Sequence, residues 1–313
     1  MNVPVFDLHC DTADELIGIG NAAKSALRNN SVHIDLARAA TLDGYAQCFA
    51  CFTSLSSEYD PVDHFEKKLA AIIREVEKNP DMIRIAYNAR EIEENRKNGI
   101  MSAILTIEGP AGFGFDPALL SDLYCVGFRI SSLGWNEQNP LTGSHITGGG
   151  LTEQGREYVR QAQKLGMLID VSHISDDGFW DIMKITQAPI LATHSNSRHI
   201  CNVSRNLTDD MFLAICQTDG LAGINLYTDF VGGDRDIDAL CDHIFHFMEL
   251  DPTGKHIALG GDLDGCDSLC RGISGIQDYP AIAERLLQRG LDQQAILNIF
   301  WNNAIGVIDK CCM

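Results

Sequence analysis

Short apolar segments alternate along the chain with stretches in which apolar residues recur at helical spacing. The apolar segments predict eight strands, beginning near residues 3, 46, 102, 124, 166, 189, 221 and 256. The helical pattern predicts helices over 13–19, 61–79, 89–97, 152–165, 176–186, 209–217, 237–250, 279–289 and 292–305. Most of the strands are continuous apolar runs, which is typical of parallel strands covered by helices on both faces.

The order of these elements predicts the fold class. Eight β/α units in a chain of 313 residues favour an α/β protein with a single (β/α)8 TIM-type barrel that spans residues 1–313. A doubly wound parallel sheet is the alternative. That fold normally carries a glycine-rich turn after an early strand, and neither GxGxxG nor a phosphate-binding loop occurs in the sequence. No second domain, linker or low-complexity tract is predicted.

Residues able to bind metals occur where several of the strands end. The first strand ends in FDLHCDT, in which His9 and Asp11 project to the same side of an extended backbone. Alone, this pair is more typical of the caps and turns that flank strand ends. The pattern recurs at later strand ends, which carry Glu108, His173, His194 and Asp262.

The barrel brings these strand ends to one face. Any one of these residues could be a core histidine, a loop cap or a turn aspartate, but six together favour a site for one or two zinc-like ions. Glu108 lies between the His9/Asp11 pair and the His173/His194 pair and is predicted to bridge two metals. Water shared by both metals would become the nucleophile, and Asp262 would accept its proton and pass it to a leaving amine. This chemistry predicts a metal-dependent hydrolase.

Composition and charge limit the classes of binding partner and the cellular compartment that we expect. The formal net charge is −19, which argues against nucleic acid or an anionic membrane as a partner. The sequence shows neither a secretion signal nor an apolar stretch long enough to span a bilayer. The 11 cysteines show no CxxC pair, so we expect reduced thiols in a cytoplasmic protein. Cys10 is expected to point away from the metals, and Cys311 and Cys312 to form an inert, frayed end.

Seven segments resemble the membrane dipeptidase (renal dipeptidase) family, peptidase family M19, and the similarity covers nearly the full length. They are DLHCDT (7–12), HIDLARAATLDGYAQCFA (33–50), TIEGP (106–110), LTEQGREYVRQAQKLGMLIDVSH (151–173), APILATHSNSR (188–198), SRNLTDD (204–210) and GGDLDG (260–265). The resemblance implies a (β/α)8 barrel with a binuclear zinc site that hydrolyses dipeptides. It also implies that His9 and Asp11 bind one zinc ion, that His173 and His194 bind the other, and that Glu108 bridges them.

The resemblance also assigns substrate contacts. Asp262 matches the acidic residue at the catalytic centre, and Arg205 matches the arginine that holds the substrate carboxylate, for which a bidentate guanidinium is suited. Tyr227 falls where a second carboxylate contact is plausible. The chain departs from the family at Trp135, where many members carry a histidine that steadies the tetrahedral intermediate. His145 could replace that histidine, although a plain loop histidine is the simpler interpretation.

Two other functions stay open at this point. The first is another amidohydrolase-type enzyme, such as a deacylase, lactonase or deaminase. Many of those use a modified lysine on the fourth strand, whereas segment 123–130 contains no lysine and the third strand supplies Glu108. The second is a non-catalytic scaffold, which is disfavoured because all six ligand-type residues are present. The leading prediction is a zinc dipeptidase acting on a small dipeptide. The sequence leaves the native metal, the side-chain preference and the oligomeric state open, with a homodimer as one option. The secretion, disulfides and lipid anchor of animal members are not expected here.

Overall fold

Parallel strands form one continuous sheet in the computed structural model, which describes residues 1–18 and 26–312. In the described residues the strands are β1 Val5–Cys10, β2 Tyr45–Phe52, β3 Ile83–Ile85, β4 Met101–Glu108, β5 Phe128–Ser132, β6 Leu168–Asp170, β7 Ile190–Ala192, β8 Leu221–Ile224 and β9 Ile257–Leu259. The order of the sheet is β2-β1-β9-β8-β7-β6-β5-β4-β3, and β2 also pairs with β4. This pairing runs in register from Ala46 opposite Ser102 to Phe52 opposite Glu108 and closes an eight-strand barrel. The predicted (β/α)8 TIM-type barrel is therefore confirmed.

Helices connect the strands and cover the outside of the barrel. They are α1 Thr12–Ile17, α2 Leu36–Ala39, α3 Pro61–Lys78, α4 Ala89–Lys97, α5 Leu120–Val126, α6 Glu153–Leu165, α7 Asp176–Met183, α8 Asp209–Gln217, α9 Thr228–Val231, α10 Ile237–Leu250, α11 Tyr279–Gln288, α12 Gln293–Leu297 and α13 Asn303–Cys311. Several begin at a side chain that accepts a backbone N–H of the first turn, as Thr152 does for α6 and Thr208 for α8. Within the described part of the chain, no helix is long and apolar enough to cross a membrane.

Two predicted elements differ in the structure, and one short strand was not predicted. Segment 123–130 is not one strand, since α5 occupies its first half and Gly127, at φ 128°, separates α5 from β5. The short strand β3 lacks an apolar run, and it pairs with β4 alongside the barrel. The predicted helix over 292–305 is interrupted by a π-helical turn, Asn298–Asn302. The end of the predicted helix 13–19 lies outside the described residues.

The C-terminal helix α13 crosses the N-terminal end of the barrel. The Lys310 ammonium lies 2.6 Å from Asp219, ahead of β8, and the Cys312 thiol donates to the carbonyl of Gly166, ahead of β6. Trp301 packs with Phe6 in the cluster that also contains inward-facing strand residues. Cys312 is buried, so the expectation of a frayed end at Cys311 and Cys312 is wrong. Because the barrel interior is filled at this end, the catalytic site of such a barrel is expected at the opposite mouth.

Candidate metal centre and substrate pocket

The six side chains predicted as ligands or acid–base groups meet at the C-terminal mouth of the barrel. They are His9, Asp11, Glu108, His173, His194 and Asp262, and all six are buried. His9 belongs to β1 and Glu108 ends β4, while the other four lie just beyond β1, β6, β7 and β9. Parallel strands place their carboxyl ends together, which is why residues far apart in sequence converge here.

Glu108 separates two groups of potential ligands. Its Oε2 lies 3.3 Å from His9 Nε2. Its Oε1 lies 3.0 Å from His173 Nε2 and 3.8 Å from His194 Nε2. On the first side, His9 Nε2 is 3.3 Å from Asp11 Oδ2 and 3.9 Å from Asp262 Oδ1. One carboxylate thus presents an oxygen atom to each group.

Hydrogen bonds behind His173 and His194 determine which ring nitrogen carries the proton. His173 Nδ1 lies 2.8 Å from Asn136 Oδ1, which can only accept. Thr193 donates its hydroxyl to Asp170 Oδ2 at 2.6 Å, so the same hydroxyl oxygen accepts from His194 Nδ1 at 2.7 Å. Both Nδ1 atoms therefore carry hydrogen, and both Nε2 atoms present lone pairs.

The two Nε2 lone pairs point at one another across 2.9 Å. Neither can donate in this tautomeric state, so the pair is repulsive unless a cation lies between them and Glu108. On the other side, Asp11 Oδ1 is buried and has no hydrogen-bond partner among the described residues. Imidazole lone pairs and unpartnered carboxylate oxygens are the ligands of zinc-like ions. The site fits a divalent metal.

The carboxyl groups of the cluster perturb one another. Burial, followed by the charge of Glu108, raises the pKa of Asp11 to about 8, and burial raises the pKa of Asp262. Burial opposes ionisation of Glu108 as well, but His9 and His173 hold the pKa of Glu108 well below its usual range. Burial favours neutral His9, yet Glu108 and Asp11 raise the pKa of His9 well above its usual value. Bound cations would stabilise all three carboxylates at once.

Two of these residues have a left-handed backbone. His173 has φ 71° and Asp262 has φ 57°. Such angles are uncommon outside glycine and tend to occur at functional sites, where the surrounding structure holds them. At Asp262 that support includes Asn225, whose side-chain amide donates to Oδ2 at 3.0 Å, and Asp7, which accepts the N–H of Gly261.

Arg205 is buried near the cluster, and part of its guanidinium has no hydrogen-bond partner among the described residues. Its side chain is only 4% exposed, and its Nη1 donates to Ser195 Oγ at 2.7 Å. Nε and Nη2 have no partner among the described residues. The guanidinium lies 5.6 Å from the ring centre of Phe230. A planar pair of unpaired, charged donors is suited to a carboxylate.

The remaining predicted substrate residues surround the mouth. Trp135 lines a cavity of about 240 Å³ together with Phe52, Asp11 and Glu108. Its ring packs edge-on against Phe52, with 5.1 Å between the ring centres. Tyr227 precedes α9, and its hydroxyl donates to Asp229 at 3.1 Å.

His145 does not face the cluster directly. Its Nε2 lies 2.9 Å from Asn136 Oδ1, the same atom that accepts from His173. Its Nδ1 lies 2.9 Å from Ser204 Oγ. Burial and the nearby cations Arg205 and Arg198 lower the pKa of His145 to about 4. His145 therefore supports Asn136 as a neutral ring.

Sequence reasoning missed the residues that orient the ligands. Asn136, Thr193 and Asn225 bond to His173, His194 and Asp262 in turn, and Asp170 accepts from Thr193. A usable signal was present for two of them: Asp170 ends β6 three residues before His173, and Thr193 directly precedes His194. Polar residues at the buried end of an apolar strand need partners, and the partner here is a ligand.

A (β/α)8 barrel with a buried histidine–carboxylate cluster at its C-terminal mouth is the architecture of a metal-dependent hydrolase. A family model described as membrane dipeptidase (peptidase family M19) matches residues 1–311. The chain belongs to this family of metallo-dipeptidases, which confirms the resemblance seen in the sequence.

Individual relatives agree with this assignment. The chain is 31% identical over 264 residues to an uncharacterized protein of Klebsiella pneumoniae, covering 80% of this chain and 96% of that protein. It is 26% identical to an uncharacterized dipeptidase of Schizosaccharomyces pombe, covering 80% of this chain but 63% of that protein's length. A crystal structure of a metallo peptidase from Rhodobacter sphaeroides, liganded with a phosphinate mimic of L-Ala-D-Ala, superposes with a TM-score of 0.90. That pair is 23% identical and covers 99% of this chain and 100% of the other, which supports the fold.

Proposed function

We propose that this chain is a zinc dipeptidase, with two zinc ions held by His9, Asp11, His173 and His194 and bridged by Glu108. The observation that carries the proposal is the position of Glu108, which presents Oε2 to His9 and Oε1 to His173 and His194. Two cations close together repel each other, and a carboxylate with one oxygen toward each group lowers that repulsion.

The substrate is inferred from Arg205 and the family. Its two unpartnered donors would bind the free C-terminal carboxylate of a dipeptide, and Ser195 holds the guanidinium in place. An anchor for that carboxylate close to the metal ligands limits the substrate to about two residues. Tyr227 would supply a further carboxylate contact after rotating away from Asp229, and Trp135 would line the pocket for substrate side chains.

The chain's own residues would then organise the reaction. When bound, the zinc ions would lower the pKa of a water molecule and polarise the peptide carbonyl. Asp262 would accept the proton of the attacking water and deliver it to the leaving amine. Asn225 donates to Asp262 Oδ2, which leaves Oδ1 as the proton-accepting atom. Burial raises the pKa of Asp262, which suits a group that must hold a proton transiently.

The proposal is tested by measuring metal content and hydrolysis on the same purified protein. We expect at least about two zinc ions per chain by elemental analysis, two of which Glu108→Gln should remove, and chelator-sensitive cleavage of a dipeptide panel that includes L-Ala-L-Ala and L-Ala-D-Ala. Glu108→Gln should lose metal and activity together. The matched control is Glu157→Gln, an exposed carboxylate on α6, which should retain both.

Two outcomes would contradict the proposal. Hydrolysis retained by Glu108→Gln would remove Glu108 from the site. A full metal complement with no cleavage of any dipeptide would assign the site to a different amidohydrolase reaction.

A further inference from the structure

A second group of potential ligands lies at the opposite end of the barrel from the mouth. Cys216 is in the last turn of α8, Asp251 directly follows α10, and His256 directly precedes β9. One ligand atom from each of the three lies within 4.8 Å of the other two. The group is separate from the candidate metal centre, because it lies at the N-terminal ends of the strands.

The His256 ring is fixed by the backbone. Its Nδ1 donates to the carbonyl of Gly220 at 2.9 Å, and its own carbonyl accepts the N–H of Ala222 at 2.9 Å. The Nε2 atom therefore carries the lone pair, and it lies 4.0 Å from Asp251 Oδ2. A histidine that donates one nitrogen to a backbone carbonyl and offers the other is the usual arrangement of a metal ligand.

Asp251 offers an oxygen atom with no partner. Its Oδ1 accepts from the N–H and the hydroxyl of Thr253, at 3.1 and 2.7 Å. Its Oδ2 is buried and has no hydrogen-bond partner among the described residues. The 4.0 Å between this oxygen and His256 Nε2 is too long for a hydrogen bond, so the buried oxygen is left unpaired within the described part of the chain. A cation between them would satisfy both.

Cys216 completes the set with a sulfur ligand. It is a free, partly buried cysteine, so its thiol is available to a metal ion. A tetrahedral zinc site holds its ligand atoms roughly 3.3 to 3.7 Å apart. The three ligand atoms, which lie within 4.8 Å of one another, would therefore have to approach by about an ångström at most. Thiolate, imidazole and carboxylate together select a zinc-like ion over magnesium or calcium.

We propose that Cys216, Asp251 and His256 bind one zinc ion, with water as the fourth ligand. The ion would join the end of α8, the end of α10 and the start of β9, and its role would be structural because the catalytic mouth is at the other end. Another cluster, His199 with Asp209 and His246, carries no such signal. There, the His246 Nε2 atom is already paired with Asp209 at 2.8 Å.

The presence of sulfur makes this site distinguishable from the mouth, whose proposed ligands contain none. Metal-free protein is titrated with Co²⁺, and the near-ultraviolet sulfur-to-cobalt charge-transfer band is recorded. We expect the band in the wild type, its loss in Cys216→Ser and its retention in Cys201→Ser, a partly buried cysteine outside the cluster. Zinc content by elemental analysis should then be about three ions per chain in the wild type, two at the mouth and one here, and it should fall by one in Cys216→Ser only.

A second variant keeps the test decisive if Cys216→Ser does not fold. His256→Gln keeps the sulfur but removes the nitrogen ligand, and it should weaken the cobalt affinity reported by the band at least tenfold. The absence of a charge-transfer band in saturated wild type would overturn the proposal, as would an unchanged metal count in folded Cys216→Ser. Neither result bears on the dipeptidase proposal, since that rests on the ligands at the mouth.

Discussion

Arg205→Met is the substitution that most directly tests how the substrate is held. Methionine occupies the volume of the aliphatic stem but removes the guanidinium over Phe230 and with it Nε and Nη2, the two donors without partners among the described residues. Hydrogen bonds to charged groups contribute about 1.5–3 kcal/mol each. Because the two bonds share a single carboxylate, their contributions do not add in full. We therefore expect a loss of about 2–4 kcal/mol, or roughly 30- to 900-fold in kcat/KM, for L-Ala-L-Ala.

The assay compares L-Ala-L-Ala with its C-terminal amide in the wild type, Arg205→Met and Arg205→Lys. The loss in kcat/KM should be confined to the substrate with a free carboxylate, so Arg205→Met should have similar kcat/KM values for the acid and the amide. Lysine keeps the charge but not the planar pair of donors, so it should recover only part of the loss. Removing a buried charge with unpaired donors should not lower the free energy of unfolding, and thermal unfolding checks this. An equal loss on acid and amide would refute the role assigned to Arg205.

The other predictions concern the support of the site, acid stability and specificity. Asp170→Asn should weaken metal binding about 10- to 100-fold in chelator competition. The asparagine amide would donate to the Thr193 hydroxyl, which would then donate to His194 Nδ1. His194 would carry its proton on Nε2, the atom that should bind the metal. His243 is buried, and burial lowers its pKa to about 4. Because an unfolded histidine titrates near pH 6.5, the unfolded chain binds the extra proton between these values. The contribution of neutral His243 to the free energy of unfolding is therefore complete above pH 6.5 and is lost as the pH falls toward 4, by at most about 3 kcal/mol. His243→Gln should reduce the pH dependence of the free energy of unfolding, measured by urea titration. Trp135→Ala should lower kcat/KM roughly tenfold for dipeptides with a bulky first residue and less for Gly-Gly. Chelation of the metals should lower the unfolding temperature, since ions at 1,000 times Kd contribute about 4 kcal/mol.

Each of these has a control and a contrary result. Asp177→Asn, on the exposed face of α7, should leave metal affinity unchanged, and equal affinities in the two variants would contradict the tautomer argument. If the free energy of unfolding had the same pH dependence in wild type and His243→Gln, His243 would not be a source of that dependence. Equal losses on bulky and small dipeptides would move Trp135 out of the substrate pocket. An unfolding temperature that chelator does not change would mean that the metals contribute nothing to stability.

The metal cluster was predictable because a parallel barrel places every strand end at one mouth. His9, Glu108 and His194 each follow an apolar run, so their convergence needed only the strand order and no knowledge of loop structure. The roles assigned to them remain predictions until metal is measured.

Elements without an apolar run could not be predicted in the same way. The strand β3 is three residues long and partly exposed, and its pairing depends on the neighbouring β4. Residues 123–126 of α5 are apolar and match the pattern of a strand, and Gly127 marks the end of the helix. Asn136 and Asn225 act through hydrogen bonds made after the chain has folded, so local sequence gives no signal for them.

The six residues of the candidate site extend from β1 to the loop after β9, and this has a consequence for the chain as it is made. Synthesis delivers residues from the N-terminus at about 5–20 per second, so His9 and Asp11 emerge long before Asp262. Until then β1 lacks its neighbour β9, and Asp7 lacks the N–H of Gly261 that it accepts in the folded barrel. The proton-accepting residue of the site is therefore in place only when the last strand closes the barrel, so unfinished or prematurely terminated chains cannot act as peptidases.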